Sequence, residues 1–235
     1  MDNSVLRPEA APVWMHSLIG RATDGSLHQS LPERSKAGAL MERQAAVLIL
    51  LAGAETTATL PNDAAVLLTH RTPHMRSHSG QIAFPGGRVD PADRNPVDCA
   101  LREAWEETGL DRHTVTPLAQ LEPVHIRRTG YPVHPVLAHW HTSSPVYVAS
   151  PEETDDVFTA PLLSLIAPEN RLMVGWKDWS GPAFRFNDYL IWGFTGGLLS
   201  AVLAAAGWAE PFDTTVHNLA EELEKSRNNE SHPLR

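Results

Sequence analysis

The chain has 235 residues, of which 42% are hydrophobic, and this is enough to bury the core of one large domain. Its formal net charge of −9 argues against general nucleic-acid binding, which needs a basic surface. With one cysteine, Cys99, a disulfide framework and a cysteine-based zinc site are excluded, and a cytoplasmic location is expected. The N-terminus has early acidic residues and no apolar stretch, so we expect no signal peptide.

The elements predicted in the first part of the chain are mostly strands. Residues 1–40 have a mixed, proline-containing composition and are predicted to be an extension with one short helix at residues 13–19. Apolar runs predict four strands, at residues 45–51, 64–69, 118–124 and 131–140. The first two of these strands could form a hairpin or lie in one sheet.

Further along the chain, residues 155–166 are predicted to form a strand edge followed by a short helix. The uncharged segment 190–209 is long enough to span a bilayer, but its glycines and alanines make it only weakly hydrophobic. A buried core helix at residues 192–208 is therefore favoured over a membrane-associated one. Residues 211–235 are predicted to be a C-terminal tail, with a frayed helix and disorder over residues 216–235. The order of elements indicates an α/β domain with a mixed sheet over residues 41–210.

The helix that follows Asn95 carries the main chemical signal. Asn95 is a suitable N-cap, the proline after it fits the first helical position, and Gly109 is a natural terminator. Glu103, Glu106 and Glu107 are three and four residues apart, so they lie on one face, away from the predicted buried stripe. Such a cluster of hard oxygen donors suits Mg²⁺ or Mn²⁺, and a metal held this way usually works on phosphate. Acidic pairs alone are more often a solvated helix face.

The residues around these glutamates resemble the Nudix box and favour the metal site. Arg102-Glu103-Ala104-x-Glu106-Glu107-x-Gly109-Leu110 matches the second half of that motif throughout. The first half departs from it, because Gly87 lies one residue too far upstream. Arg94, with Asp93 beside it, stands where the motif has its first glutamate. One extra loop residue would explain both differences, with Asp93 as the replacement for that acid.

The segment from Leu67 to Asp90 narrows the resemblance. It reads Leu67-Leu68-Thr69-x-Arg71-Thr72-x-x-Met75-Arg76-x-His78-x-Gly80-Gln81-Ile82-Ala83-Phe84-Pro85-Gly86-Gly87-x-x-Asp90. This looks like the motif of the coenzyme A pyrophosphatase branch of Nudix hydrolases, with Thr72 and Met75 as conservative differences. That branch also tends to carry the extra residue within the box, so the unusual spacing supports the assignment.

The resemblance implies a Nudix-type α/β/α sandwich that uses Mg²⁺ or Mn²⁺ to hydrolyse the pyrophosphate bond of coenzyme A or its derivatives. Glu103 and Glu107 would be the principal metal ligands, and Glu106 a further ligand or the group that activates water. Arg102 would orient Glu106 or brace the Gly86-Gly87 loop, so Glu106, Glu107 and Arg102 form the expected catalytic set. The two glycines would let the backbone approach metal and substrate phosphate closely.

Several other residues are candidates for substrate binding. Arg71, Arg76 and His78 are expected to contact phosphates, since guanidinium groups bind phosphate as forks. Arg76 and His78 could equally pin the loop, and Gln81 could bond either the backbone or the substrate. Glu153 could supply a further base or metal ligand, or it could simply belong to an acidic loop.

Two rival functions stay open from the sequence. One is hydrolysis of another nucleoside diphosphate derivative, such as ADP-ribose or a dinucleoside polyphosphate. The other is a non-catalytic Nudix domain that senses a nucleotide, which the retained box glutamates argue against. The expected partner is a small-molecule substrate, with no nucleic acid and no membrane, and a homodimer is an open alternative.

Overall fold

The computed structural model of the chain describes residues 4–29, 31, 44–75, 78–126 and 130–230. These residues form the helices α1 (His16–Thr23), α2 (Ser26–Gln29), α3 (Pro96–Thr108), α4 (Leu162–Ile166), α5 (Gly193–Ala206) and α6 (Leu219–Glu224). They also form the strands β1 (Ala45–Ala52), β2 (Ala65–Arg71), β3 (Ile82–Ala83), β4 (Gly86–Arg88), β5 (Val115–Gln120), β6 (Val124–His125), β7 (Pro132–Trp140), β8 (Thr154–Pro161), β9 (Arg171–Trp176), β10 (Trp179–Phe186), β11 (Tyr189–Ile191) and β12 (Val216–Asn218).

Strand β1 lies at the centre of a mixed sheet. It runs parallel to β7 and antiparallel to β2 and β4. The sheet has the order β3-β2-β1-β7-β5, while β4 also pairs with β1, β6 with β7 and β8 with β2. The first two predicted strands therefore lie in one sheet, and they pair directly at Leu51 and Val66.

Helices cover both faces of β1, which explains why its sequence is apolar throughout. Ala46, Leu48 and Leu50 pack in the core that α3 covers. Ile49 and Leu51 belong to the core on the opposite face, which α1 and α5 cover. Because successive strand residues point to opposite faces, one apolar run serves two cores. This arrangement confirms the predicted α/β/α sandwich with a mixed sheet.

The C-terminal part of the chain builds a second sheet, in the order β11-β10-β9-β12. Leu219 and Leu223 of α6 are buried against this sheet together with Leu172 and Leu190. The helix expected in the tail is present as α6, whereas the expectation of disorder is wrong for residues 216–228. The four-residue spacing of the two leucines gives α6 an apolar stripe, and the sheet covers that stripe.

The predicted N-terminal extension also contributes to the main core over residues 4–29. The short helix expected at residues 13–19 appears as a 3₁₀ turn, Val13–Met15, followed by α1. Trp14 and Leu18 are buried in the same core as α5. This part of the chain thus helps to cover one face of the sheet.

Helix α5 confirms the predicted buried helix in the uncharged segment. It spans Gly193–Ala206, and Leu198, Leu199 and Leu203 are buried in the core. Within the residues that the structure describes, no helix combines the length and the apolar character that crossing a membrane requires.

The ends of α3 follow the sequence signals. The Asn95 side chain accepts a hydrogen bond from the backbone N–H of Asp98 at 2.9 Å, and Gly109 ends the helix with a φ of 67°. The Asp98 carboxylate in turn accepts bonds from Arg94 Nε at 3.0 Å and Arg112 Nη2 at 2.6 Å. Bonds from Arg94 and then Arg112 hold the pKa of Asp98 well below its ordinary value.

Replacing Asp98 with asparagine should lower the free energy of unfolding by about 1 kcal/mol at pH 7, because a neutral amide loses the charge-assisted bonds. The folded-state pKa of Asp98 is depressed. The stabilisation is therefore complete above the unfolded-state pKa and fades as the pH falls below about 4. Urea unfolding of wild type and Asp98→Asn from about pH 3 to about pH 8 measures this, with the exposed Asp178→Asn as control. An equal difference at every pH would contradict the ionic role of Asp98.

Candidate active site

The glutamates of α3 lie against the backbone of β4. The backbone N–H of Gly86 donates to Glu107 Oε2 at 3.2 Å. A Cβ added at Gly87 would lie 2.4 Å from the carboxylate carbon of Glu103 and 2.5 Å from both of its oxygens. Only a residue without a side chain therefore leaves room for the Glu103 carboxylate at this place.

The expectation that all three glutamates point away from the core is wrong for Glu107, whose side chain is only 2% exposed. Gly86 covers it from β4, and Arg71 reaches it from β2, with Nη1 3.8 Å from Glu107 Oε1. Burial raises the pKa of Glu107 to about 8, although Arg71 and the Gly86 N–H oppose the shift. This environment disfavours the carboxylate anion, and an additional cation beside it would favour that anion.

Arg102 is the centre of an ion-pair network on the exposed side of α3. Its Nη1 donates to Glu106 Oε2 at 2.9 Å, and its Nη2 lies 3.0 Å from Glu103 Oε1. The same Nη2 donates to the carbonyl oxygen of Arg88, at the end of β4, at 3.0 Å. The bond to Glu106 is the contact that orienting this glutamate requires. The bond to Arg88 is the contact that bracing the Gly86-Gly87 loop requires.

Asp93, the expected substitute for the first acid of the box, is a partner of Arg102. Arg102 Nε and Nη2 donate to its two carboxylate oxygens at 2.8 and 2.9 Å, and the Asp93 side chain is nearly buried. The bond from Arg102 lowers the pKa of Asp93. Because this fork-to-fork contact uses both oxygens, we expect Asp93 to act on the glutamates through Arg102 and not as a metal ligand.

The charge of Glu153, at the end of the loop before β8, acts on two glutamates of the box. Burial raises the pKa of Glu103, and the charges of Glu106 and Glu153 raise it further, while Arg102 opposes them. Glu153 also contributes to the raised pKa of Glu107. Its own carbonyl oxygen accepts a bond from the N–H of Thr72, just after β2, at 3.0 Å. The extra acid predicted from the sequence is thus brought to the site by the pairing of β8 with β2.

The candidate substrate residues belong to the segment between β2 and β4. The side chain of Arg71 contacts Glu107, and its backbone N–H donates to the carbonyl oxygen of Gln81 at 2.9 Å. His78 is exposed, and its Nδ1 lies 3.0 Å from Gln81 Oε1. Arg76 lies outside the described residues.

A divalent cation suits the donors of this site, although the carboxylates are paired with arginines. Among the described residues, no three or more histidine, cysteine, aspartate or glutamate side chains form a ready metal site. Arg102 engages Glu103 and Glu106, and Arg71 lies beside Glu107. The residues still fit such a cation, because they offer hard oxygen donors. Burial and repulsion from neighbouring carboxylates also disfavour the charged forms of Glu103 and Glu107, and a cation would favour those forms. Glu103, Glu106 and Glu107 would hold it.

Three residues near the site were not indicated by the sequence: His70, Asn228 and Glu230. The buried His70 ring places Nδ1 beside the Asp155 carboxylate and Nε2 3.1 Å from the carbonyl oxygen of Gly80. Nε2 also lies 3.0 Å from the carbonyl oxygen of Asn228. His70 and Asn228 are 158 positions apart, so no local sequence pattern predicts their contact. The polar composition of the tail predicted only disorder there.

Comparison with known proteins identifies the family. The NUDIX domain model matches residues 42–174. The uncharacterized Nudix hydrolase NudL of Enterobacter sp. (strain 638) is 35% identical over 198 residues, covering 77% of this chain and 92% of its own. NudL of Escherichia coli (strain SMS-3-5 / SECEC) is 35% identical over 178 residues, covering 72% and 85%. The chain therefore belongs to the Nudix hydrolases, which generally use divalent metal ions and act on small molecules.

A solved MutT/nudix family protein from Enterococcus faecalis also superposes in part. Its TM-score is 0.43 at 17% identity, and the match covers 78% of this chain and 66% of that chain.

Replacing Gly87 with alanine should displace Glu103 without unfolding the protein. The added Cβ overlaps the Glu103 carboxylate, which is the free end of a flexible side chain and can move aside. Because the carboxylate would leave its position, we expect Mn²⁺ affinity to fall about tenfold or more, as measured by isothermal titration calorimetry. The melting temperature should change by less than about 3 °C.

The matched control is Gly86→Ala. Its Cβ would lie 2.3 Å from the carbonyl oxygen of Ala46 and 2.7 Å from the Cα of Val47, which are backbone atoms of the central strand. We expect this variant to lose stability by about 2 kcal/mol or more, because the backbone cannot move aside cheaply. Unchanged Mn²⁺ affinity in Gly87→Ala would contradict the proposed fit between Gly87 and Glu103.

Proposed function

We propose that this Nudix hydrolase cleaves the pyrophosphate bond of coenzyme A or its derivatives, using Mg²⁺ or Mn²⁺. The products would be 4′-phosphopantetheine, or its acylated form, and adenosine 3′,5′-bisphosphate. One observation carries the proposal: the segment that resembles the coenzyme A pyrophosphatase motif directly lines the glutamate site. Arg71, Gly86 and Gly87 of that segment contact or closely approach Glu107 and Glu103.

The box residues would perform the chemistry in complementary roles. When bound, a divalent cation would polarise a phosphoryl oxygen and lower the pKa of a bound water. Glu103 and Glu107 would hold that cation, and Glu106 would be a further ligand or the base that activates water. Arg102 would keep Glu103 and Glu106 in position through its bonds to both. Positioning and charge neutralisation would therefore supply most of the catalysis.

Arg71 is the strongest candidate for a phosphate contact. Its side chain is 20% exposed, and its Nε is buried without a hydrogen-bond partner among the described residues. A buried guanidinium donor without a partner is unusual, and a phosphate oxygen is the acceptor that it suits best. This supports an anionic substrate group beside Glu107. Arg76 stays a prediction from the sequence.

The remaining expectations also stay predictions. They are a cytoplasmic location, a homodimer, the absence of a nucleic-acid partner, and the assignment of residues 41–210 to the catalytic domain.

Incubating the protein with coenzyme A and Mg²⁺ or Mn²⁺ tests the function, with chromatography and mass spectrometry to identify both products. Glu106→Gln and Glu107→Gln should each lower kcat/KM by about 100-fold or more, because each removes a charged oxygen from the metal and water site. The exposed Glu169→Gln is the control and should retain full activity. No product from the wild type, or as much product from both box variants as from the wild type, would contradict the proposal.

The same assay with ADP-ribose and a dinucleoside polyphosphate separates the rival functions. We expect kcat/KM to be highest for coenzyme A or an acyl derivative. Faster turnover of ADP-ribose would place the protein among other Nudix hydrolases, and binding without turnover of any substrate would indicate a sensing domain.

A further inference from the structure

The C-terminal segment 226–230 packs against the loop at residues 78–81, which carries the candidate substrate residues His78 and Gln81. Asn228 is fully buried, and its side chain forms two bonds with the backbone of Leu190, both at 2.9 Å. A Cβ added at Gly80 would lie 2.3 Å from the carbonyl oxygen of Asn228. The segment therefore lies in direct contact with the loop, and this contact fixes the place of Glu230.

The Glu230 carboxylate faces three hydrogen-bond donors. Trp192 Nε1 and Asn228 Nδ2 donate to its Oε1 at 2.7 and 3.0 Å, and Gln81 Nε2 donates to its Oε2 at 3.4 Å. Burial raises the pKa of Glu230, and the bonds from Trp192, Asn228 and Gln81 oppose that shift. An ionised carboxylate can only accept hydrogen bonds, so it dictates the orientation of each donor.

The orientation of the Gln81 amide in turn determines which nitrogen of His78 carries the proton. Because Gln81 turns its NH₂ group towards Glu230, its Oε1 faces His78 Nδ1 at 3.0 Å. An amide oxygen only accepts, so His78 Nδ1 must carry the proton and, in the neutral ring, Nε2 keeps the lone pair. We propose that Glu230 is a positioning residue that, through Gln81, fixes the Nδ1–H tautomer of His78.

The tautomer determines what His78 offers to a ligand. His78 is exposed and has a φ of 56°, a left-handed conformation that costs energy in a residue other than glycine. In its neutral form the ring presents Nε2 as an acceptor, which matches a hydroxyl, an amino group or water and does not match a phosphate oxygen. This consequence for substrate binding rests on the proposed function, whereas the tautomer itself does not.

Glu230→Gln tests the proposal, because it reverses the chain of bonds. The oxygen of Gln at position 230 should stay with the two donors Trp192 and Asn228, so that its NH₂ group faces Gln81. Gln81 must then turn over and present its own NH₂ group to His78 Nδ1, which favours the Nε2–H tautomer. Long-range ¹⁵N–¹H correlation at about pH 8.5, about two units above the ordinary histidine pKa, identifies the tautomer in each variant. The His78 signals are assigned by their loss in His78→Gln.

A rescue variant and a matched control sharpen the test. The double variant Glu230→Gln/Gln81→Glu exchanges the acid and the amide, so His78 Nδ1 again faces an acceptor and the Nδ1–H tautomer should return. Glu224→Gln removes an exposed acid of α6 and should leave the tautomer unchanged. A wild-type His78 in the Nε2–H form, or the same tautomer in wild type and Glu230→Gln, would overturn the proposal.

Kinetics with coenzyme A then test the role of His78 Nε2. We expect Glu230→Gln to raise KM by about threefold to tenfold, the effect of one lost hydrogen bond, and to leave kcat within about twofold. An unchanged KM with a switched tautomer would overturn the substrate-facing role of Nε2. If the wild type does not hydrolyse coenzyme A but the tautomer switches as described, the proposed substrate fails and the positioning role of Glu230 stands.

Discussion

The close approach of α3 to β4 sets the geometry of the acidic site. The carboxylates of a helix can approach a strand backbone this closely only where the strand residue facing them has no side chain. Gly86 and Gly87 meet this condition, since one donates its N–H to Glu107 and the other leaves space for Glu103. The same approach lets α3 cover β1, so the packing of one core and the geometry of the acidic site have a common cause.

Placing several carboxylates together has an electrostatic cost, and two arginines offset it. Arg102 bonds to Glu106 and Glu103 on the exposed side, and Arg71 lies beside the buried Glu107. Burial still raises the pKa of Glu103 and Glu107, so the site remains short of positive charge. A site in this electrostatic condition favours a divalent cation, which agrees with the use of such ions by Nudix hydrolases in general.

The parts of the chain outside the Nudix match also reach the site. The match ends at residue 174, within β9, and the other three strands of the second sheet and the segment 226–230 follow it. Asn228 and Glu230 of that segment contact the loop before β3, which carries Gln81 and His78. Polar groups of the segment 226–230 therefore contact the loop of candidate substrate residues, although this segment lies outside the matched domain.

Features that depend on neighbours along the chain follow from the amino-acid sequence alone. The cap at Asn95, the end of α3 at Gly109 and the spacing of the glutamates all follow from helix geometry, and the apolar run of β1 predicted its burial. The burial of Glu107 depends on three-dimensional packing, because the covering residues Arg71 and Gly86 come from two strands that are distant from α3 in the sequence. The same packing places residues 216–228 against the second sheet and brings Glu230 to Gln81 across 149 positions. Periodicity reports which face of an element is apolar, but it does not say which distant segment will cover that face.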